Sequence, residues 1–374
     1  MIYLDHAATT PLPEAVADTM YDVLRHQFGN PSAQYPLGRE AKELVEEARR
    51  TIAGALGCQP SALHFTSCGT ESDNWAIRAA ARQGRHTGRH IITTAVEHSA
   101  VLEPCRQLEQ EGYEVTYLKP DRTGHISAGQ VAEALREDTV LVSVMLVNNE
   151  TGCLFPVADI ARLLKERGSR ALLHCDAVQG FLKVPCAPAG WGVDLMSLSA
   201  HKIGGPKGIG ALYVRPDLRN LRPLLAGGGQ EEGLRSGTEA TAQIAGFAKA
   251  VALRQEGLEE KLARIKSYCR ERLLSIPGVV PVGGGEAPHI LAVSLVGYPS
   301  ANVINDLGSQ GICLSAGSAC HRGKASRGYA ALGLDKRTAA GVLRLSFGPE
   351  TTEGDIDALY EALLRHKNTR FSML

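Results

Sequence analysis

The sequence predicts an α/β protein in which a large domain, built on a mainly parallel β-sheet, is followed by a smaller α+β domain. The first observation is an alternation of short apolar runs with amphipathic helical patterns from about residue 14 to residue 250. The second is that this order changes after a helical connection at about 240–275. We therefore expect a large domain at 13–250 and a small domain formed by 1–12 and 251–374.

The strands of the large domain are predicted from apolar runs that are bounded by polar turns. These runs are residues 90–94, 115–118, 141–146, 171–175 and 194–198. The helices are predicted where apolar residues recur with a helical period. They include residues 41–56, 101–110 and 157–167. Because parallel strands need a crossover connection such as a helix, this alternation favours parallel pairing.

The C-terminal part of the chain has a different order of elements. Its predicted elements are a strand at 289–296, a helix at 300–309, strands at 311–315 and 342–347, and a helix at 352–366. A glycine-rich loop separates the second of these strands from the third. The regular alternation of the first 250 residues is missing here, which indicates an α+β domain.

Composition excludes several classes of protein. Forty basic and forty acidic side chains give the 374-residue chain no net charge, so we expect neither a nucleic-acid nor a membrane partner. No run reaches membrane-spanning length and the N-terminus lacks a signal-peptide pattern, which predicts a cytoplasmic location. Nine scattered cysteines without CxxC spacing indicate neither a disulfide framework nor a zinc site, and no metal is expected.

A lysine follows the predicted strand at 194–198, in the segment SLSAHKIGGPKGIGALYV. Lys202 comes directly after Ser199 and His201 and before a loop with four glycines and a proline. Ligands of open α/β sheets bind beyond the carboxyl ends of the strands. A solvated lysine needs no such rigid setting, so we predict that Lys202 meets a ligand.

Four other segments place polar residues after apolar runs. They are FTSCGTESDNWAI (65–77), TAVEHSAV (94–101), VNNETG (147–152) and HCDAVQG (174–180). Taken alone, each is an ordinary polar turn or helix cap. Taken together with Lys202, they fit pyridoxal phosphate. That cofactor needs a lysine for its covalent link, a carboxylate near its pyridine nitrogen, and N–H or hydroxyl donors for its phosphate.

The chain also resembles the cysteine desulfurases of the NifS/IscS type. These belong to the class V branch of the fold-type I, aspartate-aminotransferase-like, pyridoxal-phosphate-dependent (PLP-dependent) transferases. The resemblance runs nearly end to end and rests on ten segments in order. They are YLDHAATTPL (3–12), FGNPSA (28–33), FTSCGTESDNWAI, EHSAV (97–101), VNNETG, CDAVQG (175–180), SAHKIGGPKGIGALYV (199–214), RSGTE (235–239), SAGSAC (315–320) and LRLSFG (343–348).

The resemblance implies roles for individual residues toward the cofactor. Lys202 would hold PLP covalently, Asp176 would pair with the pyridine nitrogen, and Gln179 would bind the ring oxygen. His98 would stack on the ring and is a candidate for proton transfer to or from the substrate thiol. The implied phosphate ligands are Gly69, Thr70, Ser199 and His201.

The remaining implied roles concern the second subunit, the substrate and the sulfur. Thr238 matches the threonine that reaches the phosphate of a neighbouring subunit, which implies a homodimer. Asn149 and Arg344 match the pair that holds the α-carboxylate of L-cysteine. Cys320 matches the nucleophile. Its neighbours are small, and His321, Arg322, Lys324 and Arg327 follow it. Such basic surroundings favour a reactive thiolate.

The implied activity is that of a cysteine desulfurase. The enzyme would convert L-cysteine into L-alanine, hold the sulfur as a persulfide on Cys320 and pass it to an acceptor protein. Alternatives stay open: a selenocysteine lyase, another PLP-dependent lyase or aminotransferase, or a non-catalytic PLP scaffold. The destination of the sulfur is open too, among iron–sulfur cluster assembly, tRNA thiolation and another thio-cofactor pathway. Cys68 is a second thiol, beside the implied phosphate site.

Overall fold

The computed structural model describes residues 1–317 and 327–369. The strands in this part of the chain are β1 (Ile2–Tyr3), β2 (Leu63–Thr66), β3 (His90–Thr94), β4 (Glu114–Leu118), β5 (Thr139–Ser143), β6 (Leu172–Asp176), β7 (Leu195–Ser199), β8 (Gly210–Val214), β9 (Val279–Pro281), β10 (Ile290–Leu295), β11 (Ile312–Cys313) and β12 (Val342–Ser346). The α-helices are α1 (Glu14–His26), α2 (Pro36–Leu56), α3 (Gly69–Gly84), α4 (Ser99–Gln110), α5 (Ala128–Ala134), α6 (Val157–Glu166), α7 (Pro188–Trp191), α8 (Thr241–Ala252), α9 (Leu258–Leu274), α10 (Ser300–Ser309), α11 (Arg327–Ala331), α12 (Lys336–Ala340) and α13 (Glu353–Thr369).

A seven-stranded sheet forms the centre of the first 250 residues. Its strand order is β2-β8-β7-β6-β5-β3-β4, and the five strands from β7 to β4 are parallel to one another. Strand β8 runs antiparallel to both of its neighbours. Every residue of β3, β5, β7 and β8 is buried, because helices cover both faces of the sheet. The predicted α/β class with a mainly parallel sheet is confirmed.

One predicted strand is shorter than expected. The apolar run at 141–146 predicted a strand over its whole length, but β5 ends at Ser143. The strand ends here because a side chain replaces the next strand as hydrogen-bond acceptor. The Met145 N–H donates to the Glu97 carboxylate over 3.0 Å. On its other side the chain still follows β6, since Val144 and Leu146 donate to the carbonyls of His174 and Asp176 over 3.0 and 2.9 Å, before a turn that carries Asn148 and Asn149.

A second, antiparallel sheet with the order β12-β10-β9 lies in the C-terminal part of the chain. Its apolar residues form a cluster with those of α9, α10 and α13. The N-terminal strand β1 pairs in parallel with β11, and Asp5 bridges to Ser346. The proposed boundaries at 12/13 and 250/251 stay a prediction. None of the helices in the described residues is both long and apolar enough to span a bilayer.

Candidate active site

A cavity of about 260 Å³ opens at the carboxyl ends of β5, β6 and β7. Ten of the twelve predicted site residues line it. They are Gly69, Thr70, His98, Asn149, Asp176, Gln179, Ser199, His201, Lys202 and Arg344. Segments that are far apart in the sequence thus meet in one cavity. The cavity lies where open α/β sheets bind ligands, beyond the carboxyl ends of the strands.

Lys202 ends a short 3₁₀ turn that follows β7. Its Nζ donates hydrogen bonds of 2.7 Å to the backbone carbonyls of Ala7 and Ala8. Thr10 holds the two segments together, because its hydroxyl donates to the carbonyl of His201 and accepts from the N–H of Gly204. The sequence reasoning assigned no role to residues 7–10. The only signal for them was their place in the segment YLDHAATTPL.

The end of the cavity near the N-terminus of α3 is rich in hydrogen-bond donors. Helix α3 begins at Gly69, where a Cβ atom would come within 2.7 Å of a methyl group of Val178. The hydroxyl of Ser199 is buried and has no hydrogen-bond partner among the described residues. Burial lowers the pKa of His201 to about 4, so its ring is neutral at pH 7. Free N–H groups at a helix start and an unpartnered hydroxyl suit an anion such as a phosphate.

Asp176 lies at the end of β6 and accepts a hydrogen bond of 2.9 Å from the N–H of Val178. Burial raises the pKa of this carboxyl, while the neighbouring His98 and Lys202 act in the opposite direction. His98 is the N-cap residue of α4, and its Nδ1 accepts from the N–H of Ala100 over 3.1 Å. In the neutral ring the hydrogen therefore lies on Nε2, which leaves that nitrogen as a donor.

Two buried carboxyl groups near the cavity were not predicted as site residues. Asp73 lines the cavity and is 1% exposed. Burial raises the pKa of this carboxyl, and the nearby Asp176 raises it further. Glu97 accepts from the hydroxyl of Thr94 and from the backbone at Met145, and burial raises its pKa to about 8. Asp73 looks like an ordinary helix-start acid in the sequence, because nothing local shows its burial.

Arg344 lies on β12 and is 1% exposed. Its Nη1 donates to the backbone carbonyl of Asn149 and its Nη2 to the carboxylate of Asp5, each over 2.8 Å. Its Nε has no hydrogen-bond partner among the described residues. The amide of Gln179 donates to the carbonyl of Ala7 over 2.8 Å, which fixes this side chain beside Lys202.

Two predicted residues remain, Thr238 and Cys320. Thr238 is exposed and is not among the residues that line it. Cys320, the predicted nucleophile, lies outside the described residues. Cys68 does line the cavity, as the N-cap residue of α3.

Comparison with known proteins identifies the family. The profile of the class-V aminotransferase family matches residues 2–359. The chain belongs to this family. A cysteine desulfurase IscS of Salmonella paratyphi B is 43% identical to this class-V protein over 369 residues, which are 95% of this chain and 90% of that one.

Solved structures agree with this assignment. A NifS-like protein superposes with a TM-score of 0.92 and 35% identity, over 99% of this chain and 100% of that one. SspA in complex with cysteine superposes with a TM-score of 0.84 and 35% identity, over 94% of this chain and 100% of that one. The resemblance to class-V enzymes and the fold-type I architecture are therefore confirmed.

Proposed function

We propose that this class-V protein is a PLP-dependent cysteine desulfurase, which converts L-cysteine into L-alanine and holds the sulfur as a persulfide on Cys320. The observation that carries the proposal is the convergence of the Lys202 amine, the Asp176 carboxylate and the Arg344 guanidinium on one cavity. The 43% identity to a cysteine desulfurase supports this choice among the class-V activities.

The residues of the cavity fit PLP. Ser199 would give its unpartnered hydroxyl to the phosphate, together with Thr70, His201 and the N–H groups at the start of α3. Asp176 would face the ring nitrogen, whose positive charge would stabilise the ionised carboxylate. When bound, PLP supplies an electron sink that makes the α-proton of an amino acid acidic.

Lys202 would serve twice, first as the covalent anchor of the cofactor and then as the base that receives the α-proton at Nζ. The carbonyls of Ala7 and Ala8 hold this nitrogen in place. Arg344 and Asn149 would bind the α-carboxylate of L-cysteine, and the unpartnered Nε of Arg344 gives one donor for this purpose. His98 would exchange a proton with the substrate thiol from Nε2.

Sulfur transfer is assigned to Cys320. Its thiolate would form a bond to the substrate sulfur while the carbon–sulfur bond breaks, and a proton taken up at the carbon side completes L-alanine. The balanced result is one alanine and one persulfide for each cysteine consumed. The persulfide sulfur would then pass to a thiol of an acceptor protein.

The proposed working unit is a homodimer in the cytoplasm, without a nucleic-acid or membrane partner. In this dimer Thr238 of one subunit would reach the phosphate site of the other. Thr238 is exposed and does not line the cavity of its own chain, and both facts support this arrangement. In the dimer, Thr238 would take part in the phosphate site of the partner subunit and not in that of its own chain.

The test is to incubate the purified, PLP-loaded protein with L-cysteine and a reductant, and to measure alanine and sulfide together. We expect equal amounts of the two products, and neither from the Lys202→Ala variant. Sulfide with pyruvate and ammonia in place of alanine would indicate a β-lyase, and conversion of an added keto acid into its amino acid at a comparable rate would indicate an aminotransferase. Turnover of L-selenocysteine alone would indicate a selenocysteine lyase, and no turnover of any of these would indicate a scaffold.

A further inference from the structure

A second group of ligand-type side chains lies outside the cavity. A ring nitrogen of His125, Cys153 Sγ and a carboxylate oxygen of Glu286 all lie within 4.8 Å of one another. His125 belongs to the loop between β4 and α5, and Cys153 follows the turn after β5. Glu286 lies between β9 and β10. Because the three residues are distant in the sequence, no local sequence motif predicts that they form a group.

The tautomer of His125 is fixed by its neighbours. The hydroxyl of Thr123 donates its single proton to Asp121 Oδ1 over 2.7 Å, and it also lies 2.8 Å from His125 Nδ1. The hydroxyl can therefore only accept from Nδ1–H, which leaves Nε2 of the neutral ring with a lone pair. A hydroxyl or carboxylate that orients the ring through its other nitrogen is typical of histidines that bind metals.

The carboxylate of Glu286 is oriented in the same way. Its Oε2 accepts from the N–H of Leu154 over 2.9 Å, so Oε1 points at His125 Nε2. A lone pair of the imidazole thus faces a carboxylate oxygen at hydrogen-bond distance. Two acceptors cannot stay in contact without a positive charge between them, so this contact requires either a proton or a metal ion.

Cys153 brings a sulfur to the same point. The residue is fully buried, while His125 and Glu286 are partly open to solvent, with side chains 30% and 45% exposed. The thiol donates to the backbone carbonyl of Thr123 over 3.3 Å. An ion can therefore enter from the solvent side, where the histidine and the carboxylate lie, and meet the sulfur at the bottom of the site.

The donor set defines the class of ion. Imidazole, thiolate and carboxylate are together the ligands of Zn²⁺ and similar divalent transition ions, and not of Mg²⁺ or Ca²⁺. A thiolate and a carboxylate carry two negative charges, which match a divalent cation. Donors bound tetrahedrally to one zinc ion lie roughly 3.5 Å apart, so small side-chain rotations would close the site. Lys266, whose charge acts on Glu286 and Cys153, is already bound to the carbonyls of Gly285 and Ala287.

We propose that His125, Cys153 and Glu286 form a binding site for Zn²⁺ or a related divalent transition ion, with water in the fourth position. The ion would tie the loop before α5 to the segment between β9 and β10. The site shares no residue with the cavity, so it stands or falls independently of the desulfurase activity.

The experiment uses the full-length, PLP-loaded protein with the Cys320→Ala substitution, which removes the proposed reactive thiol as a competing ligand. Equilibrium dialysis against buffered free Zn²⁺, followed by metal analysis, gives the stoichiometry and affinity. We expect one ion per chain, and at least a tenfold loss of affinity in His125→Ala and in Cys153→Ser. Zn²⁺ should also raise the melting temperature of the parent by a few °C, on the order expected for a native-state ligand, but not that of the two variants.

Matched controls are the exposed His86→Ala and the half-buried Cys58→Ser, which should bind Zn²⁺ like the parent protein. His125→Ala changes a partly exposed residue, so it remains informative if Cys153→Ser does not fold. The proposal is wrong if the parent binds no Zn²⁺ at micromolar free ion, or if His125→Ala binds it as tightly as the parent. In either case a proton alone joins His125 to Glu286.

Discussion

Arg344 Nη1 donates a hydrogen bond of 2.8 Å to the backbone carbonyl of Asn149. The two predicted substrate ligands are 195 residues apart in the sequence and yet in direct contact, and the second nitrogen of the same guanidinium binds Asp5. The planar group is therefore fixed from two sides. Its orientation is set before a substrate arrives, which lowers the entropy lost on binding.

We expect Arg344→Lys to lower kcat/KM for L-cysteine on the order of ten- to a hundredfold, mainly through KM. A lysine keeps the charge but lacks the Nε donor and the planar fork that Asn149 and Asp5 hold in place, and bonds to a charged group contribute about 1.5–3 kcal/mol. Steady-state kinetics with sulfide detection measure the effect. The exposed Arg337→Lys is the matched control. An unchanged KM in Arg344→Lys would show that Arg344 does not bind the substrate.

The Cys320→Ala variant should separate cofactor binding from sulfur transfer. The predicted anchor Lys202 and the predicted ligands of PLP and substrate lie in other segments of the chain, so the variant should still bind PLP and L-cysteine, as its absorption spectrum would report. Its sulfide release should fall by on the order of a thousandfold or more, because the nucleophile is gone.

Cys68→Ala is the control for that loss, since Cys68 lines the cavity. We expect this variant to release sulfide at nearly the parent rate. If the loss occurred in Cys68→Ala instead, with Cys320→Ala still active, the sulfur carrier would be Cys68.

Mixed dimers test whether Thr238 acts in the neighbouring subunit. Lys202→Ala homodimers should be inactive, and Thr238→Ala homodimers should bind PLP about tenfold more weakly, the effect of one lost bond to a charged phosphate. A dimer with one subunit of each kind would hold one intact site, because the intact Lys202 and the intact Thr238 meet across the interface.

Coexpression with two different affinity tags isolates this mixed dimer. At limiting PLP we expect about half of the parent activity, well above either homodimer. Activity no higher than the mean of the two homodimers would show that Thr238 acts within its own chain. If the active protein sedimented as a monomer, the proposed homodimer with shared sites would be wrong.

Glu97 makes the stability of the fold depend on pH. Its carboxyl has an ordinary pKa of 4.5 in the unfolded chain and a pKa of about 8 when buried in the folded protein. The folded state therefore holds more protons between these values. The stability that the protonated Glu97 carboxyl contributes is fully present below pH 4.5. This contribution is lost as the pH rises through 8, and the free energy of unfolding falls by up to about 1.4 kcal/mol per pH unit.

Glu97→Gln removes this dependence, so the variant should gain stability relative to the parent as the pH rises from 5 to 8. Melting temperatures of the PLP-loaded proteins across this range measure the difference, and the exposed Glu133→Gln is the control. A difference between Glu97→Gln and the parent that does not change with pH would mean that the buried carboxyl is ionised throughout.

Much of the fold could be predicted, because the strands of the central sheet are buried on both faces and appear as continuous apolar runs. The same logic placed Lys202 and Asp176, since a polar residue directly after such a run lies at the ligand-binding edge of the sheet. The predicted end of β5 was wrong, because the strand end depends on a hydrogen bond from Met145 to Glu97, which lies in another loop.

What escaped prediction depends on contacts between distant segments. The backbone carbonyls of Ala7 and Ala8 bind Lys202, but a backbone acceptor has no signature in the side-chain sequence. Asp73 has the position of a helix-start acid, and only the assembled sheet shows that it is buried beside Asp176. The group at His125, Cys153 and Glu286 follows no local spacing that could be recognised.

The contacts of the N-terminal segment have a consequence for the order in which the protein is made. Asp5 binds Arg344 and the N–H of Ala7 binds the hydroxyl of Ser346, and each pair is separated by 339 residues. A ribosome therefore finishes the seven-stranded sheet long before it synthesises β12. Until that strand leaves the exit tunnel, residues 5–8 lack the partners that align them with Lys202. A nascent chain can thus fold its largest sheet and still carry an incomplete site, and activity begins only when translation is nearly over.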